Sequence, residues 1–425
     1  MSERRDAWMA PMIATAMIVG VMAWAAVTKG IGVFAGPAGD LFVGPDSWGR
    51  AYRALELLAH GHWFSDELLR VGPGVEQHWS RMVDALNVAM GGLFGLFAGG
   101  FRPGLEVWGT IAGPLQFAGF VAVLIWAARP VLSGAGIGGL AMLLPIQFSI
   151  AGYFMAGRID WHPQNFIGTA LAVALVVRAL APGETGRFPA RILGLGLAAM
   201  LWGNPECFIA IAAAIAVVGL AWAWSGVRAI PERMETFARW LAIGTAAAAA
   251  AEQGPWQLLV LSHEEVSLFH VILFAMHWAF WRAAIQPRIA AVCAAGLPWR
   301  LLVGGAGGVP ASAFVLAYNP ELLQGRINPD VDRTYIKLRA TSIAESQKVF
   351  SARMVAENGL EVVRNALIPM WTLVIGLVGG VVLAVTDARR RWVWLGLTLM
   401  IVISVGGNTE IRHRHIPMAS ILALP

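Results

Sequence analysis

The sequence predicts an all-α polytopic membrane protein, and three observations lead to this fold class. The chain of 425 residues is 57% hydrophobic and only 13% charged, whereas a soluble domain carries about 25% charged residues. Apolar stretches of the length that a bilayer requires, about 20 residues, recur along the chain. Arginines cluster between many of these stretches, as expected of the cytoplasmic connections of a membrane protein.

Hydropathy divides the chain into spans and polar connections. The first stretch follows Arg4 and Arg5 and is longer than the apolar region of a signal peptide, so we interpret it as an uncleaved span. We expect a bundle of about 11–12 spans in one transmembrane domain over residues 1–425. The candidate spans cover approximately residues 10–33, 105–128, 132–154, 166–181, 192–204, 207–226, 238–252, 266–284, 301–318, 365–386, 393–407 and a last segment that begins near 416.

The apolar but short and Gly-rich segment 84–100 decides the orientation of everything that follows it. If this segment lies on, or dips into, the outer face, then Arg129 and the later arginine clusters fall inside the cell, as the positive-inside rule requires. We therefore predict a cytoplasmic N-terminus in a bacterial inner membrane, with the active face outside. The outer regions are then a first loop with amphipathic helices at 36–104, a second, acidic loop at 155–165 and a further loop at 319–364.

Composition and missing motifs exclude several classes of protein. The formal charge of +5 is accounted for by basic residues that flank spans, so no nucleic-acid partner is expected. The two cysteines, Cys207 and Cys293, fall on opposite faces of this topology, and we expect no disulfide. No Walker loop, GxSxG elbow, HExxH or CxxC motif occurs. Few ionisable residues fall within the spans, whereas ion-coupled transporters need them there.

The first outer loop begins with a predicted amphipathic helix. Asp46 follows Gly44 and Pro45 and can cap this helix, or can serve as a carboxylate held above the bilayer, as general base or metal ligand. Helical spacing puts aromatic and apolar residues on one face and Arg50, Arg53 and Glu56 on others. We expect the helix to lie at the membrane surface, with its arginines available to lipid headgroups.

Further polar residues of the outer loops are candidates for binding phosphate. His78 and Arg81 precede the segment 84–100 and suit a lipid phosphate, although Arg81 and Asp84 could also pair along a helix. Arg326 and Arg412 make two later outer regions basic.

The second loop, GRIDWHPQN, holds the candidate metal ligands. Arg158, Asp160 and His162 alternate, so an extended loop would bring them to one side. Asp160 and His162 could bind a metal with Asp46 as a third ligand, or Asp160 could simply neutralise Arg158. Glu206, after Asn204 and Pro205, is either a helix cap or a site residue.

The motifs in these loops resemble those of the GT-C superfamily of membrane glycosyltransferases. The pattern is closest to a group of uncharacterised bacterial GT-C-like proteins, and is distantly similar to oligosaccharyltransferase catalytic subunits and protein mannosyltransferases. Their Asp-Asp-x-Met-Arg motif matches residues 46–50 (DSWGR), their His-Trp-Ser-Arg-Leu-Val-Asp matches residues 78–84 (HWSRMVD), and their Gly-Arg-Ile-Asp-His-His matches residues 157–162 (GRIDWH). The likeness runs over about residues 1–365, and Ser47 and Trp161 depart from it.

The resemblance implies a transferase that moves a sugar from a polyprenyl-phosphate lipid donor to an acceptor, often with a divalent metal, Mg²⁺ or Mn²⁺. Asp46 would be the general base or a metal ligand, with Asp160 and His162 as the other metal ligands. The substrate-binding candidates are Arg50, His78, Arg81, Arg158, Glu206, Arg326 and Arg412. The expected partners are membrane lipid, the lipid-linked sugar and the acceptor. Two alternatives remain: a transporter or flippase of a lipid or lipid-linked sugar, and a catalytically inactive GT-C-like relative.

Overall fold

A computed structural model gives the structure of the protein. The residues that it describes are 42, 44–61, 63–64, 80–144, 150, 152–181, 188–262, 265–318, 348–350, 375–406 and 411–412. The expected first span at 10–33, the segment from 416 onward and nearly all of the expected outer loop 319–364 lie outside these residues.

The described residues form helices almost throughout, which confirms the all-α fold class. A 3₁₀ turn at Gly152–Phe154 and one antiparallel pair of short strands, β1 (Lys348–Phe350) and β2 (Ile411–Arg412), are the additions to the helices. The helices are, in chain order, α1 (Gly44–His60), α2 (Arg81–Ala98), α3 (Phe101–Ala128), α4 (Gly134–Leu143), α5 (His162–Leu180), α6 (Phe188–Gly203), α7 (Cys207–Ser225), α8 (Ala229–Gln253), α9 (Leu268–Ala284), α10 (Pro287–Ala294), α11 (Leu297–Tyr318), α12 (Ile375–Thr386) and α13 (Arg391–Gly406).

Several of these helices are suited to cross a membrane. Within the described residues, α2, α3, α5, α7 and α11 are long and apolar enough, and a sixth candidate is the α9–α10 pair, which bends by 76°. Pro287 opens α10 and explains the bend, because proline lacks an N–H and cannot continue a helix from α9. Helices α4, α6, α12 and α13 are apolar but shorter. The total of about 11–12 spans and the non-spanning placement of segment 84–100, which forms α2, stay predictions.

The chain divides into two compact units. Unit 1 comprises Met1–Ala174, Leu195–Phe208 and Ile243–Val271, and unit 2 comprises Leu175–Gly194, Ile209–Ala242 and Ile272–Pro425. Unit 1 contains the first and second loops predicted above. The bounds of those loops stay predictions, as does the assignment of the whole chain to a single domain.

Helices α2 and α3 of unit 1 form a tight hairpin. Ser80 caps α2, and Gly99, in the left-handed region at φ 84°, ends it. The two helices touch through glycines: a Cβ on Gly104 would fall on the backbone of Gly91 and Gly95. Since no side chain separates the two helices here, their backbones come into direct contact at this crossing.

Helix α1 is amphipathic as expected, but its polar side faces the protein. Ser47, Arg50 and Glu56 are buried, while Tyr52 and Leu58 are exposed to 40% and 56%. The expectation that Arg50 and Arg53 face lipid headgroups is therefore wrong. The physical reason is that a carboxylate of α2, Asp84, lies beneath α1 and pairs with both arginines. In a chain that contacts lipid, the apolar face of a helix need not be the inward one.

The glycine crossing gives a test of the hairpin. We expect Gly104→Ala to lower the free energy of unfolding by about 1–3 kcal/mol, because the added methyl group meets backbone that cannot move aside. Gly119→Ala in the same helix is the matched control, since a Cβ there meets nothing within 4 Å. Thermal unfolding in detergent compares the two variants. Equal midpoints for both would show that the helices do not cross at Gly104.

Candidate functional site

Backbone contacts alone hold the second loop against α3. Gly157, at φ 88°, donates its N–H to the carbonyl of Gly109 at 2.8 Å. A Cβ on Gly113 would fall on the carbonyl oxygens of Phe154 and Met155. The loop backbone thus lies directly on a glycine face of α3, and this position presents Asp160 toward α1.

Asp160 is the centre of the site, and its carboxylate accepts four hydrogen bonds. Oδ1 accepts from the backbone N–H of His162 at 3.0 Å and from its Nδ1 at 2.9 Å. Oδ2 accepts from Ser47 Oγ at 3.0 Å and from the guanidinium of Arg158 at 3.3 Å. A carboxylate offers about four lone-pair positions, so its capacity to accept is filled.

The charge of Asp160 is stabilised although the side chain is only 1% exposed. Burial by itself raises the pKa of this carboxyl, but the positive charge and hydrogen bonds of His162 and the charge of Arg158 lower it to about 2. Because the pKa in the folded protein lies below the ordinary value, ionised Asp160 stabilises the fold at neutral pH. That contribution is lost as the pH falls through about 2.

Ser47 connects the two loops. Its hydroxyl donates to Asp160 and lies 3.4 Å from the backbone N–H of Ile159, from which it accepts. Ser47 occupies the position at which the resemblance expects a second acid. A hydroxyl can donate to a carboxylate, whereas an ionised acid in the same place would repel it.

Aromatic rings surround the cationic partners of Asp160. The ring of Trp161 stacks on His162 with centroids 4.0 Å apart, and that of Tyr153 does so at 5.1 Å. The guanidinium carbon of Arg158 lies 5.1 Å from the centroid of Tyr153. Arg158 keeps 15% of its side chain exposed, and its Nε has no hydrogen-bond partner among the described residues.

Arg50 and Asp84 form a buried ion pair that joins the motif at residues 46–50 to the motif at residues 78–84. The Arg50 guanidinium donates to Asp84 Oδ1 at 2.7 Å, and each side chain is 1% exposed. The same guanidinium nitrogen donates to the carbonyl of Ser80 at 2.7 Å. Arg53 Nε lies 3.5 Å from the other oxygen of Asp84. Arg50 therefore holds α1 on α2, and its depth corrects its assignment as a substrate-binding residue.

Two further hydrogen-bond groups fix α2. The amide nitrogen of Asn87 donates to the Ile159 carbonyl at 3.1 Å, and its oxygen accepts from Trp108 Nε1 at 2.9 Å. At the start of α2, the Glu252 carboxylate accepts the backbone N–H of Arg81 at 3.0 Å and the indole N–H of Trp202 at 2.6 Å. A carboxylate at a helix N-terminus interacts favourably with the helix dipole, so Glu252 anchors this helix end.

The remaining predicted residues are spread more widely. Asp46 lies in the first turn of α1, half-buried and directly before Ser47. Glu206 is half-buried, with its N–H bonded to Asn204 Oδ1 at 3.0 Å and its carboxylate 3.5 Å from Asn165 Nδ2.

The side chain of Arg81 is 3% exposed, too deep for contact with a substrate. His78, Arg326 and the side chain of Arg412 lie outside the described residues, although the Arg412 backbone belongs to β2.

The predicted metal site does not fit this arrangement. Within the described part of the chain, no three His, Cys, Asp or Glu side chains come close enough to hold an ion together, and this includes Asp46, Asp160 and His162. The hydrogen-bond donors around Asp160 explain this result. Oδ1 already accepts two hydrogen bonds from His162, and Oδ2 accepts one each from Ser47 and Arg158. Arg158 supplies positive charge beside Asp160, and His162 supplies hydrogen bonds to it.

Sequence reasoning missed four residues that build the site. Ser47 was considered only as a lost acid, and Asp84 only as a neighbour of Arg81. Asn87 could have been found from the sequence, because it is the one amide side chain in the apolar segment 84–100. Glu252 could not be assigned from the sequence, because its partner, the backbone N–H of Arg81, lies 171 positions away in the chain.

Comparison with known proteins identifies relatives by fold. No family model matches the sequence, and no curated protein matches it either. The structure of the Archaeoglobus fulgidus oligosaccharyltransferase in the apo form matches with a TM-score of 0.62 and 15% sequence identity, over 96% of this chain and 50% of that chain. Archaeal oligosaccharyltransferase AglB from the same organism, in complex with an inhibitory peptide and a dolichol-phosphate, matches with a TM-score of 0.59 and 16% identity over 90% and 46%.

A third structure, the A. fulgidus oligosaccharyltransferase complex with Zn and sulfate, matches with a TM-score of 0.57 at 11% identity, over 96% of this chain and 48% of that chain. The chain therefore spans about half the length of these oligosaccharyltransferases. At such identities the likeness concerns the fold. It shows that this chain has a fold like that of these oligosaccharyltransferases, and together with the described apolar helices it supports a multi-pass membrane protein.

The buried ion pair gives a test of the site's architecture. We expect Arg50→Met to lower the free energy of unfolding by about 3–5 kcal/mol, because it leaves the Asp84 carboxylate buried without its closest partner. Arg102→Met is the matched control: Arg102 also pairs with an acid, Glu106, but its side chain is 80% exposed, so its loss costs less than about 1 kcal/mol. Chemical denaturation in detergent measures both. An Arg50→Met protein as stable as the control would contradict the pairing.

Proposed function

We propose that the protein is a membrane glycosyltransferase that moves a sugar from a polyprenyl-phosphate-type lipid donor to an acceptor on the outer face of a bacterial inner membrane. One observation carries the proposal. Ser47 bonds to Asp160, and Asp46, its neighbour in the chain, lies in the first turn of α1, one residue from this contact with the acidic second loop. The GT-C-like fold supports a reaction of this class, and the neighbour solved with a dolichol-phosphate and a peptide supports a lipid-linked donor.

Asp46 is the proposed general base. The acceptor hydroxyl loses its proton to the Asp46 carboxylate as its oxygen attacks the anomeric carbon of the sugar. The bond from that carbon to the lipid phosphate breaks, and the phosphate leaves with the electron pair. Direct attack inverts the anomeric configuration, and no sugar becomes linked to the protein. Asp46 suits this role because it is half-buried at a helix start, whereas Asp160 is committed to four donors.

Arg158 is the proposed partner of the leaving phosphate. Arg158 keeps 15% of its side chain exposed, and its contact with Asp160 uses one of its terminal nitrogens, NH1. A guanidinium stabilises the charge that builds on a leaving phosphate. Asp160 and His162 then act by positioning Arg158, not by touching the sugar. His78, Glu206, Arg326 and Arg412 stay candidates for further contacts with the donor or the acceptor.

An exposed apolar loop in unit 1 offers a surface for the lipid chain of the donor. Trp256 is 93% exposed and Leu259 83% exposed, in the connection that follows α8. Ala251 lies just before this loop, near the end of α8. Its carbonyl accepts a hydrogen bond from the indole N–H of Trp63 at 3.0 Å, which connects the start of the loop to the residues that follow α1. Exposed aromatic and apolar side chains of this kind are typical of surfaces that contact lipid.

The observation at Ser47 favours a second candidate, a relative that binds a lipid-linked sugar without turning it over. Ser47 replaces the second acid of the first loop, and the four hydrogen bonds close Asp160 to any further ligand. Such a protein would bind the donor and release no sugar. No described feature favours a transporter or flippase over these two functions.

The proposed base is tested by sugar transfer with purified protein and a panel of polyprenyl-phosphate sugars. We expect Asp46→Asn to lower the rate of transfer by about 10²–10⁴-fold, because the amide cannot accept the proton. Glu106→Gln on α3 is the control for loss of a carboxylate and should transfer normally. Full activity of Asp46→Asn would refute its role. A parent protein that binds a donor but transfers nothing would favour the second candidate.

The donors around Asp160 predict that transfer does not depend on a divalent metal. With Arg158 and His162 as built-in counter-charges, we expect the rate to be unchanged in excess EDTA and unaffected by added Mg²⁺ or Mn²⁺. Transfer assays with and without chelator give the answer. Loss of activity in EDTA that either metal restores would show that the site rearranges to bind a metal.

A further inference from the structure

Unit 2 contains a cavity of about 410 Å³ that the proposed transfer reaction does not use. It lies where α7 ends, where α9 breaks into α10 and where α11 begins; Trp222, Ile285 and Arg300 line it from these three sides. The volume falls within the ~300–1,000 Å³ of typical small-molecule sites. The lining residues come from five helices, α7, α8, α9, α10 and α11.

The position of the cavity places it at the level of a membrane surface. Helices α7 and α11 and the bent α9–α10 pair are among the candidate spans, and the cavity lies at the end of α7, at the bend of the pair and at the start of α11. Spans leave the hydrocarbon layer at their ends, where lipid headgroups lie. The arginine distribution assigns this face to the cytoplasm, because Arg228, Arg282, Arg288 and Arg300 all fall there.

The polar part of the cavity wall carries excess positive charge. Arg300 is held in place, since its Nε donates to the Ala223 carbonyl at 2.6 Å and its NH1 to the Cys293 carbonyl at 3.0 Å. Its guanidinium lies against Gly226, so that a Cβ there would come within 2.8 Å of NH1. Arg228 is exposed and adds a second guanidinium, while Glu232 supplies the one acid of the lining.

The other part of the wall is apolar. Trp222, Ala290 and Ala294 line it together with Ile285. A ligand with an anionic end and a hydrocarbon end matches both parts at once. A free inorganic anion would leave the apolar wall unused, and a fully apolar ligand would leave the positive charge of Arg228 and Arg300 without a counter-charge.

We propose that this cavity binds the phosphate headgroup of an anionic membrane lipid, with the first carbons of the lipid against Trp222. Arg228 and Arg300 pair with the phosphate, and Glu232 lowers the affinity by repulsion. The site is independent of the glycosyl transfer proposed above, because its residues belong to unit 2. None of them is Asp160 or one of its partners Ser47, Arg158 and His162.

Cys293 provides a direct reporter, because its side chain lines the cavity and the only other cysteine is Cys207. In a Cys207→Ala protein in neutral detergent, the rate at which a maleimide alkylates Cys293 is measured while lipid is added. We expect phosphatidylglycerol to slow alkylation strongly and phosphatidylcholine to slow it weakly. Arg228→Gln should raise the phosphatidylglycerol concentration for half-protection about tenfold, the value of one charged hydrogen bond.

Two further variants sharpen the test. Glu232→Gln should shift half-protection to a lower lipid concentration, since it removes the one repulsive group. Arg102→Gln, an exposed arginine of unit 1, should behave as the parent. Equal protection by both lipids, or none by either, would overturn the proposal. Full protection by inorganic phosphate alone would show a simple anion site instead. A Cys293 thiol that does not react without lipid would show a closed cavity, which would also overturn the proposal.

Discussion

The structure of unit 1 depends on one buried charge, the carboxylate of Asp160. A carboxylate removed from water must be paired and hydrogen-bonded, or it becomes protonated. Here Arg158 and His162 supply charge from its own loop, and Ser47 supplies a hydroxyl from α1. This last bond requires α1 to turn its polar side inward. The same rotation buries Arg50, which then needs Asp84 of α2 as its partner.

Buried and partly exposed residues of the site consequently have different roles. Arg50, Asp84 and Asp160 are each about 1% exposed, so they fix the positions of α1, α2 and the second loop but cannot touch a substrate. Asp46 and Arg158 keep part of their surface, and in the proposed function they are the groups that meet the substrates. A mutation in a buried member should therefore act first on folding, whereas one in an exposed member should act on turnover alone.

The sequence was sufficient for the fold class, for a helix near residue 46 and for the pairing of Arg158 with Asp160, because these depend on composition and on neighbours in the chain. It was not sufficient for the start of that helix: α1 begins at Gly44, so Asp46 lies in its first turn and does not precede it as a cap. It was insufficient for the direction of α1, since helical periodicity separates two faces without telling which one meets the protein. It also could not pair Glu252 with the start of α2, across 171 positions. It could not reveal that the described Asp46, Asp160 and His162 do not come together as a three-ligand set, because a list of ligand types does not tell how many donors already surround each oxygen.

The central claim is that the Ser47–Asp160 hydrogen bond joins the first loop to the second. The most direct test is a double-mutant cycle of Ser47→Ala and Asp160→Asn, read out by the free energy of unfolding in detergent. A buried hydrogen bond to a charged group predicts a coupling energy of about 1.5–3 kcal/mol, so the double variant should be more stable than the sum of the single losses implies. Strictly additive losses would mean that the two side chains do not interact, and the account of the site would fail.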